Sequence, residues 1–173
     1  NLEKERRHSM ISKKKMTTSV NDSCRDVGGS VMLRILICDD DIIVLNKMKT
    51  LVEDIFQSME MKVKINIYSD PAQISNQILS SCDIALLDID FENPKYNGMD
   101  IARSLRVVRK DSIIIFITNF IEYAPEGYEV QAFRYVLKRE LDSELAECIL
   151  LAIEQLQLRN ECFKIQVNGE IID

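Results

Sequence analysis

The sequence predicts an α/β fold: a flavodoxin-like (βα)5 doubly wound parallel sheet with strand order 2-1-3-4-5. Three observations carry this. Short apolar runs, too uniformly apolar for a one-sided sheet, alternate with longer segments of helical period. There are five such alternations within about 129 residues, which suits a sheet of five βα units. The polar residues able to do chemistry fall directly after the apolar runs, at the strand ends where open α/β sheets bind their ligands.

The predicted strands are Leu33 to Cys38, Val63 to Ile67, Ile84 to Leu87, Ile113 to Ile117 and Phe133 to Leu137. Each is rich in Ile, Leu or Val and short enough for a strand. The second alternates, as Val63-Lys64-Ile65-Asn66-Ile67, and is expected at a half-exposed edge. Between them, helices are predicted at Ile42 to Phe56, Pro71 to Leu79, Met99 to Val108 and Ile121 to Val130, with a last one from Leu141 to Leu158. In the first, Ile43, Leu45, Met48, Leu51, Val52 and Ile55 form a helical stripe. Asp70-Pro71 marks one helix start, and Asp142 and Ser143 mark another. Pro125 and Gly127 make the fourth helix the least favoured of the set. Beyond it all, Phe163 to Val167 alternates and runs into Asn168-Gly169, the signature of a strand entering a tight hairpin.

The chain has 173 residues, 46% of them hydrophobic and 29% charged, which excludes collagenous, low-complexity and wholly disordered classes. Residues 1–31 carry seven basic and four acidic side chains and no apolar period, and are expected to be a flexible head before a folded part that starts at Met32. The remaining residues carry 15 basic and 24 acidic groups, so the folded part is acidic; it suits a cation better than a nucleic-acid backbone. His8, the single histidine, lies in the head, which removes the commonest general acid or base from the fold. The five cysteines, Cys24, Cys38, Cys82, Cys148 and Cys162, form no C-x-x-C pair, so neither a disulfide framework nor a zinc site is indicated. With no long apolar stretch, a cytoplasmic location away from membranes is expected.

Reading the strand ends in order gives Asp39-Asp40-Asp41 after the first, Asp88 after the third, Thr118 after the fourth and Lys138 after the fifth. Singly, each aspartate is more often a helix cap than a chemical group. Together, carboxylates crowded at one sheet edge repel unless a cation or Lys138 compensates them. An oxygen-only donor set without histidine or cysteine selects a hard cation, and two or three carboxylates that leave room for water and a phosphate fit magnesium. A carboxylate beside such a cation and an ammonium can act as a nucleophile toward a phosphoryl group.

These residues resemble the receiver domains of two-component response regulators over about Met32 to Asn160. Leu36-Ile37-Cys38-Asp39-Asp40-Asp41 is similar to their acidic cluster, Ala85-Leu86-Leu87-Asp88-Ile89 to their phosphoacceptor strand, Phe116-Ile117-Thr118 to their switch hydroxyl, and Tyr135-Val136-Leu137-Lys138 to their switch aromatic and lysine. The resemblance implies that Asp88 accepts a phosphoryl group from a histidine kinase. It assigns magnesium to Asp40, Asp39, Asp88 and the carbonyl of Asp90, and gives Thr118 and Lys138 the phosphoryl oxygens. Tyr135 would follow the threonine inward. The domain would be a signalling element, with at most slow self-dephosphorylation, and not an enzyme.

The stretch from Glu122 to Tyr135, and Phe163 to Ile171, resemble regulators of the LytTR class. That implies a receiver over 32–160 and, over 161–173, the opening of a DNA-binding output domain, with DNA contacted only through that domain. A homodimer is expected through the fourth helix, fifth strand and fifth helix, using Tyr128, Val130, Phe133, Arg134, Glu126 and Glu129. Two departures from the family pattern stand out: a loop from Asp88 to Gly98 longer by about two residues, and Arg139 where proline is usual. Two other readings compete. A haloacid-dehalogenase-like phosphatase is suggested by the D-x-D pattern Asp88-Ile89-Asp90, but there the D-x-D strand comes first, whereas here the acid cluster precedes it. A receiver-shaped interaction module that is never phosphorylated is the other.

Overall fold

In the computed structural model, residues 32–91, 97–119 and 126–167 are described. Five parallel strands, β1 (Met32–Cys38), β2 (Lys62–Tyr68), β3 (Ile84–Leu87), β4 (Ile113–Thr118) and β5 (Arg134–Leu137), form one sheet in the order β2-β1-β3-β4-β5. This is the expected doubly wound, flavodoxin-like order. β3 and β4 are buried at every position, while β2 alternates as its sequence requires of an edge.

The side chains of each central strand divide between two cores with a period of two. Ile35, Ile37, Ile84, Leu86, Ile113, Ile115 and Ile117 face one way, against helix α1 (Ile42–Ser58) and the last helix, α4 (Leu141–Val167). Leu36, Cys38, Ala85, Leu87, Ile114 and Phe116 face the other, against α2 (Asn76–Ser81) and α3 (Gly98–Val108). Of the predicted stripe of α1, Leu45, Met48 and Val52 are buried, and Leu51 and Ile55 pack half-buried against the same core. Ile43 is exposed, and Phe56 takes a buried place that the stripe does not include.

Capping chemistry decides several boundaries. Asp41 accepts hydrogen bonds from the Ile43 and Val44 amides at 2.8 and 3.3 Å and so starts α1. The single helix predicted from Pro71 to Leu79 is two pieces, a 3-10 turn at Pro71–Gln73 capped by Asp70 and then α2 capped by Ser75, because the serine hydroxyl offers the chain a second start. At the last helix, Asp142 is paired with Lys47 across to α1 at 2.7 Å instead of capping, and a 3-10 turn at Lys138–Glu140 leads directly into Leu141.

α4 runs to Val167, through the residues for which a strand is predicted from Phe163. A strand needs a neighbour for its amides and carbonyls, and no described segment offers one, whereas a continued helix satisfies these groups internally. The Asn168-Gly169 turn lies outside the described residues, as do the head and most of the helix predicted from Ile121; within that helix, Glu126–Tyr128 forms a 3-10 turn. No helix among the described residues is long and apolar enough to cross a membrane, and Cys38, Cys82 and Cys148 are free and buried.

At the amino-terminal edge of the sheet the polar groups are fully engaged. Asp83 accepts the Arg34 amide at 2.7 Å and pairs with the Arg109 guanidinium, while Ser112 donates to the Cys82 carbonyl at 2.7 Å.

Candidate phosphoacceptor and cation site

The opposite, carboxyl-terminal edge is where the chain order reverses about β1, and there β1 and β3 end in register, with Cys38 beside Leu87. The next residue on each strand is therefore Asp39 and Asp88, placed side by side. Asp88 donates its amide to the Cys38 carbonyl at 2.9 Å, and Asp39 donates its amide to the Tyr68 carbonyl at 3.2 Å. Asp39, Asp40 and Asp88 offer oxygens all within 4.8 Å of one another.

Two like charges about 4 Å apart repel by about 4 kcal/mol at an effective dielectric constant of 20, so this cluster needs compensation. Lys138 supplies part of it. Its ammonium lies 2.8 Å from Asp39 Oδ2 and donates to Asp88 Oδ2 at 2.7 Å. β5 is separated from β3 by β4, a span of about 10 Å at ordinary strand spacing, which only a long side chain crosses. The Lys138–Arg139 peptide is trans, so the absence of proline does not keep the ammonium from both carboxylates.

Burial, opposed by the Lys138 hydrogen bond, pushes the Asp88 carboxyl up to about 6, and the neighbouring charge of Asp39 adds to the rise. Burial likewise raises Asp39. Burial pulls Lys138 down, but its close pairing with the Asp39 and Asp88 carboxylates outweighs that and holds it above its ordinary value. Burial pushes the Cys38 thiol up to about 12, which leaves it inert beneath the site.

Asp39 Oδ2 is buried and meets no hydrogen-bond geometry, and the Lys138 ammonium 2.8 Å away, shared with Asp88, compensates it only as an ion pair. A buried carboxylate oxygen in that condition is costly. An oxygen-only set of three carboxylates with one such oxygen fits a small, hard divalent cation.

The remaining predicted residues divide. Thr118 is buried at the end of β4, beside Leu137 of β5. Tyr135 pairs in register with Phe116, their ring centroids 5.1 Å apart. Asp90 is exposed, and its carboxylate is not among the three clustered ones, which removes the second acid of a D-x-D pair. Asp41 is spent on the helix cap. Val130 is 1% exposed and belongs to the second core, so it is unavailable to the interface predicted for it; Tyr128 is 87% exposed, Arg134 is exposed, and Phe133 packs partly against the first core. The side chain of Glu126 and residues 92–96 of the longer loop lie outside the described set.

Sequence reasoning missed two glycines. A Cβ at Gly98 would overlap the Asp88 carbonyl, and one at Gly127 would overlap the Tyr135 hydroxyl, so each permits a close approach that only folding creates.

Residues 35–150 match the response regulator receiver domain family. The sensory transduction protein LytT of Bacillus subtilis is 33% identical over 107 residues, covering 62% of this chain and 42% of that protein. Its counterpart in Bacillus anthracis is 29% identical over 138 residues, covering 80% and 54%. The chain thus spans about half the length of the curated relatives it matches. Among solved structures, a receiver domain protein from Clostridium thermocellum superposes with a TM-score of 0.62 at 24% identity, over 73% of this chain and 98% of that one. The response regulator TrrA of Thermotoga maritima, in complex with Mg(2+)-BeF, does so with a TM-score of 0.55 at 26% identity, over 70% and 99%. With the strand order, the acidic switch point and the bridging lysine all in place, the chain belongs to the response regulator receiver domain family.

Proposed function

We propose that Asp88 accepts a phosphoryl group from a sensor histidine kinase and that Thr118, Lys138 and Tyr135 respond to its arrival. The observation that carries this reading is the shared ammonium of Lys138 between Asp39 and Asp88 at the edge of the cluster. In the step, a carboxylate oxygen of Asp88 bonds to phosphorus while the bond from phosphorus to the donor nitrogen breaks, and the electron pair leaves with the donor imidazole. Lys138 stays protonated throughout and turns from carboxylate partner to phosphoryl partner. Thr118, at the end of the adjoining strand, donates its hydroxyl to a phosphoryl oxygen. Tyr135, beside Phe116, moves with it.

Asp39, Asp40 and Asp88, with the carbonyl of Asp90, would hold magnesium, which when bound supplies positive charge against the phosphoryl oxygens. The orphaned oxygen of Asp39 supports that assignment. A protein donor is supported by Ile42 and Ile43, 54% and 79% exposed at the start of α1 and beside the acidic mouth, an apolar rim suited to a docking surface. The output reading is dimerisation through the segment before β5, β5 itself and α4, with Tyr128, Glu129 and Arg134 on that face. In this reading residues 161–173, whose first part continues α4, lead into a LytTR-type DNA-binding domain in a cytoplasmic transcriptional regulator; the likeness to LytT supports this. Self-dephosphorylation is slow in this reading.

The test is intact mass after incubation with a small phosphodonor and magnesium. Wild-type protein is expected to gain one phosphoryl group, and Asp88→Asn none. An unmodified wild-type protein, under conditions that modify another receiver, overturns the reading.

A further inference from the structure

Helix α3 begins against the reactive strand end and finishes against the segment that precedes β5. At its start, the Gly98 amide donates to the Ile89 carbonyl at 3.0 Å, and the glycine lies directly on the Asp88 carbonyl. Toward its other end, Arg103 pairs with Glu129 at 3.2 Å. One turn on, the Arg106 guanidinium donates to four carbonyls: Val130 at 2.6 Å, Ser112 at 2.7 Å, and Lys110 and Gln131 at 3.1 Å. A planar fork of fixed geometry so engaged holds the turn before β4 through Lys110 and Ser112 and ties the helix to the chain around residue 130 through Val130 and Gln131.

The same segment is held on its other side by Tyr135. Its hydroxyl fills the space that a side chain on Gly127 would take. Between these two holds the backbone is tightly turned: the Gln131 amide donates to the Tyr128 carbonyl at 3.2 Å, the Ala132 amide to the Gly127 carbonyl at 3.0 Å, and Gln131 adopts φ 51°. A non-glycine residue keeps a positive φ only where its surroundings impose it, and Arg106 on its carbonyl is part of that imposition.

We infer that residues 127–131 form a latch between Tyr135 and helix α3, with Arg106 as the positioning residue that transmits displacement from one to the other. If the Tyr135 hydroxyl shifts, Gly127 has no spare volume to absorb the shift, and the Arg106 bonds to the Val130 and Gln131 carbonyls pass it to α3. The inference goes beyond phosphoryl acceptance and rests on that reading only for the event that moves Tyr135.

The test uses the whole unmodified chain and amide hydrogen exchange over residues 103–109. Gly127→Ala, which displaces the tyrosine, is expected to change exchange there by about threefold or more, and the change is expected to vanish in the Arg106→Gln background. Arg106→Lys is expected not to restore it, because an ammonium cannot span four carbonyls. Effects of Gly127→Ala that are equal with and without Arg106 overturn the latch, as does rescue by lysine. Should Gly127→Ala not fold, Tyr135→Phe, which removes only the hydroxyl, is carried through the same cycle. A second arm adds magnesium and beryllofluoride. A response at 103–109 in wild type that is lost in Arg106→Gln supports the latch, and one retained in that variant overturns it. A wild-type chain that binds no beryllofluoride overturns the phosphoacceptor reading instead, and the cycle in the unmodified chain still decides the latch.

Discussion

Lys138 stands 2.8 Å from an oxygen of Asp39 and 2.7 Å from one of Asp88, so a single ammonium serves two carboxylates that are both almost hidden from water. One positive charge cannot neutralise two negative ones, and Asp40 adds a third at the rim. The site at rest therefore carries an excess of negative charge, which a cation would relieve.

Lys138→Met is expected to destabilise the metal-free protein by about 3–5 kcal/mol at pH 7.5, because it strands two buried carboxylates. The loss should shrink at pH 5, where the Asp88 carboxyl takes up a proton and no longer needs a partner. Urea unfolding at the two pH values measures both quantities. A variant as stable as wild type at pH 7.5 would refute the shared-cation account.

Asp88→Asn is expected to stabilise the metal-free protein at neutral pH. The Asp88 carboxyl titrates at about 6 in the fold and at 3.8 in the unfolded chain, so between those values the folded state holds a proton that the unfolded state has lost. Wild-type stability from this group is present below the lower value and is lost as pH rises through the upper one. The asparagine variant lacks that loss, and its advantage should grow from pH 4 to pH 7 by about 1–3 kcal/mol. Parallel denaturant titrations across that range check it; an advantage independent of pH contradicts it.

Magnesium is expected to raise the unfolding temperature of wild type in a saturable manner, by about 2.7 kcal/mol of stability at a hundred times its dissociation constant. A chelator should reverse the gain and Asp40→Ala should abolish most of it, since this half-exposed carboxylate is one of the three that lie within 4.8 Å of one another. Thermal unfolding with added magnesium is the measurement, with equal shifts in both proteins as the contrary result.

Glu60→Gly is expected to stabilise the fold by about 0.5–1 kcal/mol without changing phosphoryl acceptance. Glu60 holds φ 56° just past the end of α1, where its amide donates to the Gln57 carbonyl at 3.1 Å and that of Met61 to the Phe56 carbonyl at 3.1 Å. That left-handed position favours glycine. A midpoint unchanged or lowered in urea would show that the glutamate side chain contributes more than its backbone costs.

The strands and the reactive edge were legible in the sequence because both depend on one-dimensional pattern. Uniform apolar runs such as Ile113 to Ile117 mark strands buried on two faces, and parallel order then carries Asp39, Asp88, Thr118 and Lys138 to one edge. What was not legible depends on neighbours distant in the chain. Nothing near Gly127 announces that the Tyr135 hydroxyl will occupy its empty side, and the four acceptors of Arg106 are main-chain carbonyls, which carry no residue identity. Phe163 to Val167 misled for a related reason: alternation signals a strand only where a partner strand stands ready. Asp41 shows the opposite limit, since in sequence it is indistinguishable from Asp39 and Asp40, yet it serves only as a cap.

The two edges of the sheet differ in kind. Around Asp83, both carboxylate oxygens are matched, by the Arg34 amide and by Arg109, and Ser112 closes the gap to Cys82. Around Asp88, the same strand emerges into charges that the fold leaves in conflict. Local frustration is thus confined to one rim, where consistency elsewhere in the fold can sustain it. Sequence changes that strengthen the Asp83 rim should be tolerated, whereas any that resolve the conflict at the other rim would remove the unbalanced charge on which the proposed cation binding and phosphoryl acceptance draw.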